Sequence, residues 1–311
     1  MRPPVQRDAC DERDARDERD ARGASAATAR AGPVEVVRTA LAHVWAMLFL
    51  IVLLPVGLLC FPFDPRQRMH DRLSVVWARG ALWLVGVRVE AEGAQHVRPG
   101  ERYVIAANHQ STLDILALLV VLQGRTPMRF LAKRALFRVP VLGWGMRLYG
   151  HTPVDRRRAR GAIADLGEAR RNVMQRWSTV FFPEGTRSAT GRLLPFRLGA
   201  FRTASAAGAR VLPVTIDGAG ALQPKGRYAA APGVIRVVVH APIDPPGASF
   251  DELRASMEAC RAAVASALPG GCASRLGRAG TNPTQVEDPT QVEDPTQVRP
   301  TEQRPDPGDP I

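Results

Sequence analysis

A polar cluster directly follows an apolar run and holds the residues best suited to acid–base chemistry: Asn108-His109-Gln110-Ser111-Thr112-Leu113-Asp114. The step from His109 to Asp114 is a rotation of roughly 140° on one continuous helix, so the two side chains would not share a face. They meet if His109 lies in a turn and Asp114 in the first helical turn, and Ser111 as N-cap predicts such a break. The Asp114 carboxylate would then fix the tautomer of His109, which takes a proton from an attacking hydroxyl. The alternative interpretation is that Asp114 only completes a capping box and His109 is a surface turn residue.

Two more polar clusters follow predicted strands, where open α/β sheets place their ligand sites. The first, residues 150–158, ends in three consecutive arginines whose guanidinium groups suit phosphate, although a solvated loop is the commoner outcome for a charge run. The second is Phe182-Pro183-Glu184-Gly185-Thr186-Arg187-Ser188. Here Gly185 lets the backbone approach a ligand closely and Arg187 offers another anion contact, although the segment by itself would be an ordinary turn.

Several common catalytic signatures are absent from the sequence. It contains no G-x-S-x-G elbow, no H-E-x-x-H, no P-loop and no complete G-x-G-x-x-G. The four cysteines form no C-x-x-C pair and indicate neither a disulfide framework nor a zinc site: Cys10, Cys60, Cys260 and Cys272. We therefore expect no metal, and direct attack of a hydroxyl on an activated acyl donor requires the fewest residues.

Between residues 87 and 268 apolar runs alternate with helical patterns, which predicts an α/β fold with a mainly parallel sheet covered by helices. The predicted strands cover residues 103–107, 128–132, 179–182, 211–216 and 234–240. The predicted helices cover residues 115–121, 135–148, 159–176, 199–207 and 250–268.

A nearly uninterrupted apolar run covers residues 41–63 and is long enough to cross a bilayer as a helix, which takes roughly 20 residues. Pro55 and Gly57 interrupt it, so a bend or a return to the same face is an alternative to a span, and a buried core helix is a third interpretation. The following stretch mixes Arg68, Arg72 and other arginines with Trp77, Trp83 and aliphatic residues, as an interfacial helix does. This basic flank favours placing the downstream domain in the cytoplasm. We expect a bacterial inner (cytoplasmic) membrane location with the catalytic domain on the cytoplasmic side.

Four segments follow from these patterns: a disordered mixed-charge segment (1–32), a membrane anchor (33–86), a catalytic domain (87–270) and a disordered Pro-rich tail (271–311). The formal net charge of +12 and the sequence pI of about 10.9 indicate an anionic partner. A GC-rich genome, which favours arginine codons, accounts for part of that charge.

The clusters together resemble the 1-acylglycerol-3-phosphate acyltransferase (lysophosphatidate acyltransferase) family over residues 103–217. The N-H-x-x-x-x-D block of that family is matched by Asn108, His109 and Asp114, and its F-P-E-G-T-R-S block is matched in full. Val154-Asp155-Arg156 and Leu212-Pro213-Val214 match its second and fourth blocks in the family's order.

This resemblance implies that His109 and Asp114 are catalytic, and that the acceptor is bound by Arg156, Glu184, Gly185, Thr186 and Arg187. It implies transfer of a fatty acyl group from acyl-CoA or acyl carrier protein, a co-substrate rather than a cofactor. The acceptor would be the sn-2 hydroxyl of 1-acylglycerol-3-phosphate, giving phosphatidate in phospholipid biosynthesis. The expected partners are membrane phospholipids, the lysophospholipid and the acyl donor.

Two alternatives remain open at the level of the sequence. One keeps the chemistry and changes the acceptor to another lysophospholipid or to a lyso-aminolipid such as lyso-ornithine lipid. The other is an Arg-rich protein that binds a membrane or nucleic acid without catalysis. It explains the charge but not the order of the blocks, and aromatic residues make up only 6% of the chain, which disfavours base stacking. We therefore expect no nucleic-acid partner.

Overall fold

The computed structural model describes residues 32–269 except 61–62, 65–66, 140–141, 155–166, 168 and 175–176. The helices are α1 (Pro33–Cys60), α2 (Arg68–Val85), α3 (Leu113–Leu122), α4 (Leu142–Leu148), α5 (Gly199–Ala207), α6 (Ala219–Leu222) and α7 (Phe250–Ser266), with 3-10 turns at Ala94–His96 and Arg134–Arg138. The strands are β1 (Val87–Glu92), β2 (Tyr103–Ala107), β3 (Met128–Lys133), β4 (Thr152–Val154), β5 (Ser178–Phe181), β6 (Arg210–Asp217) and β7 (Gly233–Val239). Apart from Gly32, the two segments predicted to be disordered lie outside the described residues.

The seven strands form one sheet in the order β1-β7-β6-β2-β5-β3-β4. Every pairing among these strands is parallel except β6 with β7, which run antiparallel. The predicted α/β class with a mainly parallel sheet is therefore confirmed.

Strand β2 lies in the middle of the sheet and is buried along its whole length. Its alternate side chains enter two hydrophobic clusters, because successive residues of a strand point to opposite faces. Ile105 packs in the cluster that contains Leu82 of α2 and Leu118 of α3. Val104 packs in the cluster that contains Phe201 of α5 and Val264 of α7. Helices thus cover both faces of the sheet, as a parallel sheet requires.

The structure differs locally from the sequence prediction. Strand β1 is not evident from the pattern, because it is an edge strand with one buried residue, Val87, among polar and small neighbours. The helix predicted over residues 135–148 is instead a 3-10 turn, Arg134–Arg138, followed by α4, with Pro140 outside the described residues. Of the helix predicted over residues 159–176, residues 169–174 are described and are helical.

Helix α1 continues through Pro55 to Cys60, so the proline does not end the helix. Its first 20 residues, Pro33–Val52, are long and apolar enough to cross a membrane, and only 11% of the most apolar stretch is buried in the protein. The amphipathic helix α2 contacts α1 and buries Leu82 in the core while Trp83 is 78% exposed. Both helices therefore offer apolar side chains to an environment outside the protein.

A buried ion pair fixes α2 to the sheet. The guanidinium of Arg129, on β3, is fully buried and donates to Asp71 Oδ1 at 3.0 Å and to Gln67 Oε1 at 2.7 Å. Gln123 donates to the same Asp71 oxygen at 2.6 Å. These hydrogen bonds hold the start of α2 against the amino end of β3.

Candidate active site

Two of the three predicted polar clusters meet at the carboxyl end of the sheet, and residues 155–158 of the third lie outside the described residues. The 108–114 segment follows β2 and the 182–188 segment follows β5, and these two strands are parallel neighbours. Asn108 fixes the first segment to β6 on the other side. Its Nδ2 donates to Ile216 O at 2.8 Å and its Oδ1 accepts from Ile216 N at 2.7 Å. The carboxyl ends of three adjacent parallel strands therefore carry the candidate site.

The structure brings His109 and Asp114 into direct contact. The distance from His109 Nδ1 to Asp114 Oδ2 is 2.7 Å, and the Asp114 side chain is fully buried whereas that of His109 is 13% exposed. The same Oδ2 accepts from the backbone N–H groups of Gln110 at 2.7 Å and Ser111 at 2.9 Å. An ionised carboxylate only accepts hydrogen bonds, so His109 Nδ1 carries the proton and Nε2 of the neutral ring is left as a base.

Two further contacts hold the His109 ring and backbone. The imidazole stacks on Phe182, with ring centroids 4.0 Å apart and planes 17° apart. The backbone oxygen of His109 accepts from Ser188 N at 2.8 Å. The ring position is therefore fixed by the segment after β5 as well as by Asp114.

The predicted capping of α3 is wrong in one detail. Thr112, not Ser111, is the N-cap, and it makes no side-chain capping bond. Ser111 Oγ instead accepts from Leu113 N at 3.3 Å and donates to Gln223 Oε1 at 3.1 Å. The Asp114 carboxylate does more than complete a capping box. It contacts His109 and also accepts the backbone N–H groups of the turn.

Glu184 lies beneath the catalytic turn rather than in solvent. It is 4% exposed, and its two carboxylate oxygens accept from His109 N at 2.7 Å and from Leu194 N at 2.9 Å. Burial raises the pKa of Glu184 to about 7, although the two backbone donors favour the charged form. In this geometry the side chain positions His109, and its role in acceptor binding stays a prediction.

Three more residues predicted to bind the acyl acceptor lie in the turn after Glu184. Gly185 has φ +74°, a conformation that favours glycine, and an added Cβ would lie 3.0 Å from Arg197 Nε. Thr186 is exposed, and its hydroxyl accepts from Lys225 Nζ at 3.2 Å. Arg187 is half-buried, and Arg156 lies outside the described residues. Of the two predicted arginines, the structure therefore describes only Arg187, which directly precedes Ser188, the residue that donates to His109 O.

Known proteins are similar to this chain in sequence and in fold. The protein-family model described as Acyltransferase matches residues 88–217. The chain is 32% identical over 240 residues to a 1-acyl-sn-glycerol-3-phosphate acyltransferase of Chlamydomonas reinhardtii, covering 75% of this chain and 70% of that protein. The chain belongs to the 1-acylglycerol-3-phosphate acyltransferase family. The corresponding enzyme of Pseudomonas aeruginosa is 32% identical over 191 residues, which is 59% of this chain and 72% of that protein.

A solved structure agrees with this family membership. The crystal structure of the 1-acyl-sn-glycerophosphate acyltransferase PlsC from Thermotoga maritima matches with a TM-score of 0.62 and 25% identity. The match covers 75% of this chain and 97% of that one. The predicted family, fold class and enzyme class are therefore confirmed.

Three residues of this acyltransferase that contact the site were not assigned a role from the sequence. Phe182 belongs to the matched block, and an aromatic residue directly after a strand was the available signal for its stacking on His109. Gln223 accepts from the hydroxyls of Ser111 and Thr112. Lys225 contacts Thr186. Gln223 and Lys225 lie far from these partners in sequence, and no local pattern identifies such contacts.

A cleft at the amino ends of the strands is separate from this acyltransferase site. It is lined by residues at the amino ends of β2 and β6, among them Glu101, Arg102 and Arg210. Arg210 pairs there with Asp244 at 2.6 Å. Within the described ranges no cluster of three His, Cys, Asp or Glu side chains is arranged to hold a metal ion.

Proposed function

We propose that this enzyme transfers a fatty acyl group from a thioester to the sn-2 hydroxyl of 1-acylglycerol-3-phosphate, producing phosphatidate. The observation that carries the proposal is the 2.7 Å contact between His109 Nδ1 and the buried Asp114 carboxylate at the carboxyl edge of the sheet. The names of the relatives from Chlamydomonas reinhardtii and Pseudomonas aeruginosa support this acceptor.

The contacts of His109 support a general-base mechanism. Nε2 of His109 takes the proton of the acceptor hydroxyl while that oxygen bonds to the thioester carbonyl carbon. The C–S bond then breaks, and the leaving thiolate takes the proton back from the imidazolium. Asp114 holds the ring in the required tautomer and stabilises the imidazolium through its negative charge. No covalent acyl-enzyme is needed, so one general base serves both proton transfers.

The acceptor and donor sites are assigned by chemistry. Arg187, in the turn after β5, and Arg156, outside the described residues, are proposed to bind the phosphomonoester. Gly185 and Thr186 would shape the same turn. We propose that acyl-CoA or acyl carrier protein supplies the acyl group as a co-substrate and that the reaction requires no cofactor.

Both substrates of the proposed reaction carry long acyl chains, and the exposed apolar surface of α1 and Trp83 of α2 suits a lipid environment. Arg68, Arg72 and Arg79 of α2 are exposed beside that surface. We propose that the enzyme resides in the bacterial cytoplasmic membrane with its catalytic domain on the cytoplasmic side. Mapping by cysteine labelling from either side of sealed vesicles tests this orientation.

Acyl transfer from a labelled oleoyl thioester to lysophosphatidate tests the function. Membranes carrying the wild type should form phosphatidate, and His109→Ala should lower the rate by roughly 10²–10⁴-fold, as expected for a lost general base. His96→Ala is the matched histidine control, because His96 lies in the 3-10 turn after β1 and bonds to Val239 O at 2.9 Å.

Competing acceptors settle which lysolipid is used. Lysophosphatidylcholine and lyso-ornithine lipid are offered in the same assay, and preference for a phosphate-free acceptor would refute the assignment of lysophosphatidate. Equal activity of the wild type and His109→Ala would instead show that His109 is only a turn residue.

A further inference from the structure

The segment between α6 and β7 holds a lysine in a fixed turn. Arg227 N donates to Pro224 O at 3.0 Å, and Gly226 between them has φ +93°, as the third residue of a type II turn does. Gln223 Nε2 closes the turn by donating to Tyr228 O at 2.9 Å. Lys225 therefore extends from a defined corner of the backbone. We call residues 223–230 the bridging loop.

One side of the bridging loop contacts both motifs of the candidate active site. Gln223 Oε1 accepts from Ser111 Oγ at 3.1 Å and from the Thr112 hydroxyl, at the start of α3. Lys225 Nζ donates to Thr186 Oγ1 at 3.2 Å, in the turn after β5. A single short loop thus places an ammonium group on Thr186, the residue before Arg187, and its first residue, Gln223, is bonded to the start of α3.

The other side of the bridging loop contacts the apolar helix α1. Arg227 pairs with Glu35 at 2.9 Å, and Tyr228 stacks on His43 with ring centroids 4.8 Å apart. Ala230 N donates to the hydroxyl of Thr39 at 3.0 Å. The bridging loop therefore contacts both the proposed membrane anchor and the candidate active site.

The charges of this region suit a dianion. Neither Lys225 nor Arg187 forms an ion pair with a carboxylate in the part of the chain that the structure describes. A phosphomonoester carries close to two negative charges at neutral pH, whereas a phosphodiester carries one. A lysine ammonium with two donors left over after Thr186 offers a compact charge to the phosphate oxygens.

We propose that Lys225 binds the phosphate of the acceptor together with Arg187 and makes the enzyme prefer a phosphomonoester headgroup. This inference rests on the function proposed above and adds a residue to its acceptor site. In this proposal the Thr186 hydroxyl orients the ammonium group of Lys225.

The test is steady-state acyl transfer by the full-length protein in membranes, with Lys225→Gln, Lys225→Arg and the control Arg254→Gln. Arg254 lies on α7 and forms an exposed pair with Glu258 at 3.2 Å. Lys225→Gln should raise the KM for lysophosphatidate roughly tenfold, the low end for an exposed charge-assisted hydrogen bond. That tenfold rise corresponds to about 1.4 kcal/mol of lost binding. The kcat and the KM for the oleoyl thioester should stay within about twofold, because Lys225 is proposed to contact the phosphate of the acceptor and not the reacting atoms or the acyl donor.

Two further readouts separate headgroup binding from a structural role. Lys225→Arg should restore most of the affinity for lysophosphatidate, and Lys225→Gln should lower the preference for lysophosphatidate over lysophosphatidylcholine. An unchanged KM for lysophosphatidate, or an equal loss with both acceptors and with the thioester, would overturn the role of Lys225. If the wild type itself forms no phosphatidate, the proposed function fails, and that result is distinct from normal wild-type activity with an indifferent Lys225→Gln.

Discussion

Replacing Asp114 by asparagine isolates the charge of the His–Asp pair from its geometry. All three donors near this side chain, His109 Nδ1 and the N–H groups of Gln110 and Ser111, converge on Oδ2. The other oxygen, Oδ1, is buried without a partner in the described structure. An asparagine can therefore place its oxygen at the Oδ2 position and keep all three bonds, with its NH₂ group where Oδ1 was.

The expected loss follows from Coulomb's law. A carboxylate and an imidazolium about 4 Å apart attract by about 4 kcal/mol at an effective dielectric constant of about 20. Because the imidazolium forms only as the hydroxyl proton is transferred, this attraction stabilises the transition state and not the resting enzyme. At about 1.4 kcal/mol per factor of ten, Asp114→Asn should lower kcat about 10³-fold.

The assay is single-turnover acyl transfer to lysophosphatidate with wild type, Asp114→Asn and Asp114→Ala at matched protein levels. Asp114→Ala should be at least as slow and also less stable, because it leaves the N–H groups of Gln110 and Ser111 without their acceptor. A folded Asp114→Asn enzyme within tenfold of the wild-type kcat would refute the electrostatic argument and would leave Asp114 as a residue that only shapes the turn.

Two further outcomes concern stability. Because burial raises the pKa of Glu184 from 4.5 to about 7, the native state keeps a proton that the unfolded state releases, so unfolding free energy should fall by up to about 3 kcal/mol as pH rises from 4.5 to 7. Urea unfolding at several pH values should show this fall in the wild type and not in Glu184→Gln, and an identical pH dependence in both would contradict it. Arg129→Met removes the buried guanidinium, so the Asp71 carboxylate loses its cationic partner and Gln67 Oε1 loses its donor. This change should cost about 3–5 kcal/mol in thermal unfolding, whereas Arg254→Met on the surface should cost well under 1 kcal/mol. Equal melting temperatures for the two arginine variants would show that the buried pair contributes nothing.

Local patterns in the sequence predicted most of the individual elements. The small-residue helix was expected at residues 199–207, and α5 occupies Gly199–Ala207. The buried strand β2 occupies Tyr103–Ala107, as the run of apolar residues indicated. These features depend on side-chain periodicity and on backbone preferences within a few residues, which a single sequence displays.

The order of the blocks also predicted the family, and it led to His109 and Asp114 as a pair. The five-position spacing required a turn before the helix, and the chain does turn there. The predicted cap was one residue early: Thr112 is the N-cap, while the Ser111 hydroxyl accepts from Leu113 N and also donates to Gln223, more than one hundred residues away. The bond to Gln223 is a tertiary contact that no local pattern predicts.

The sequence by itself therefore determined most of the element types, the mainly parallel sheet and the residues able to do acid–base chemistry, but not the edge strand β1 or the break within residues 134–148. Only the tertiary structure decided the strand order, the antiparallel β6–β7 pairing, the burial of Glu184 under His109, and the contact of Lys225 with Thr186. The physical reason is that these contacts depend on how distant strand ends and loops meet in space. That meeting is set by the packing of two hydrophobic clusters across the sheet and not by the preferences of neighbouring residues.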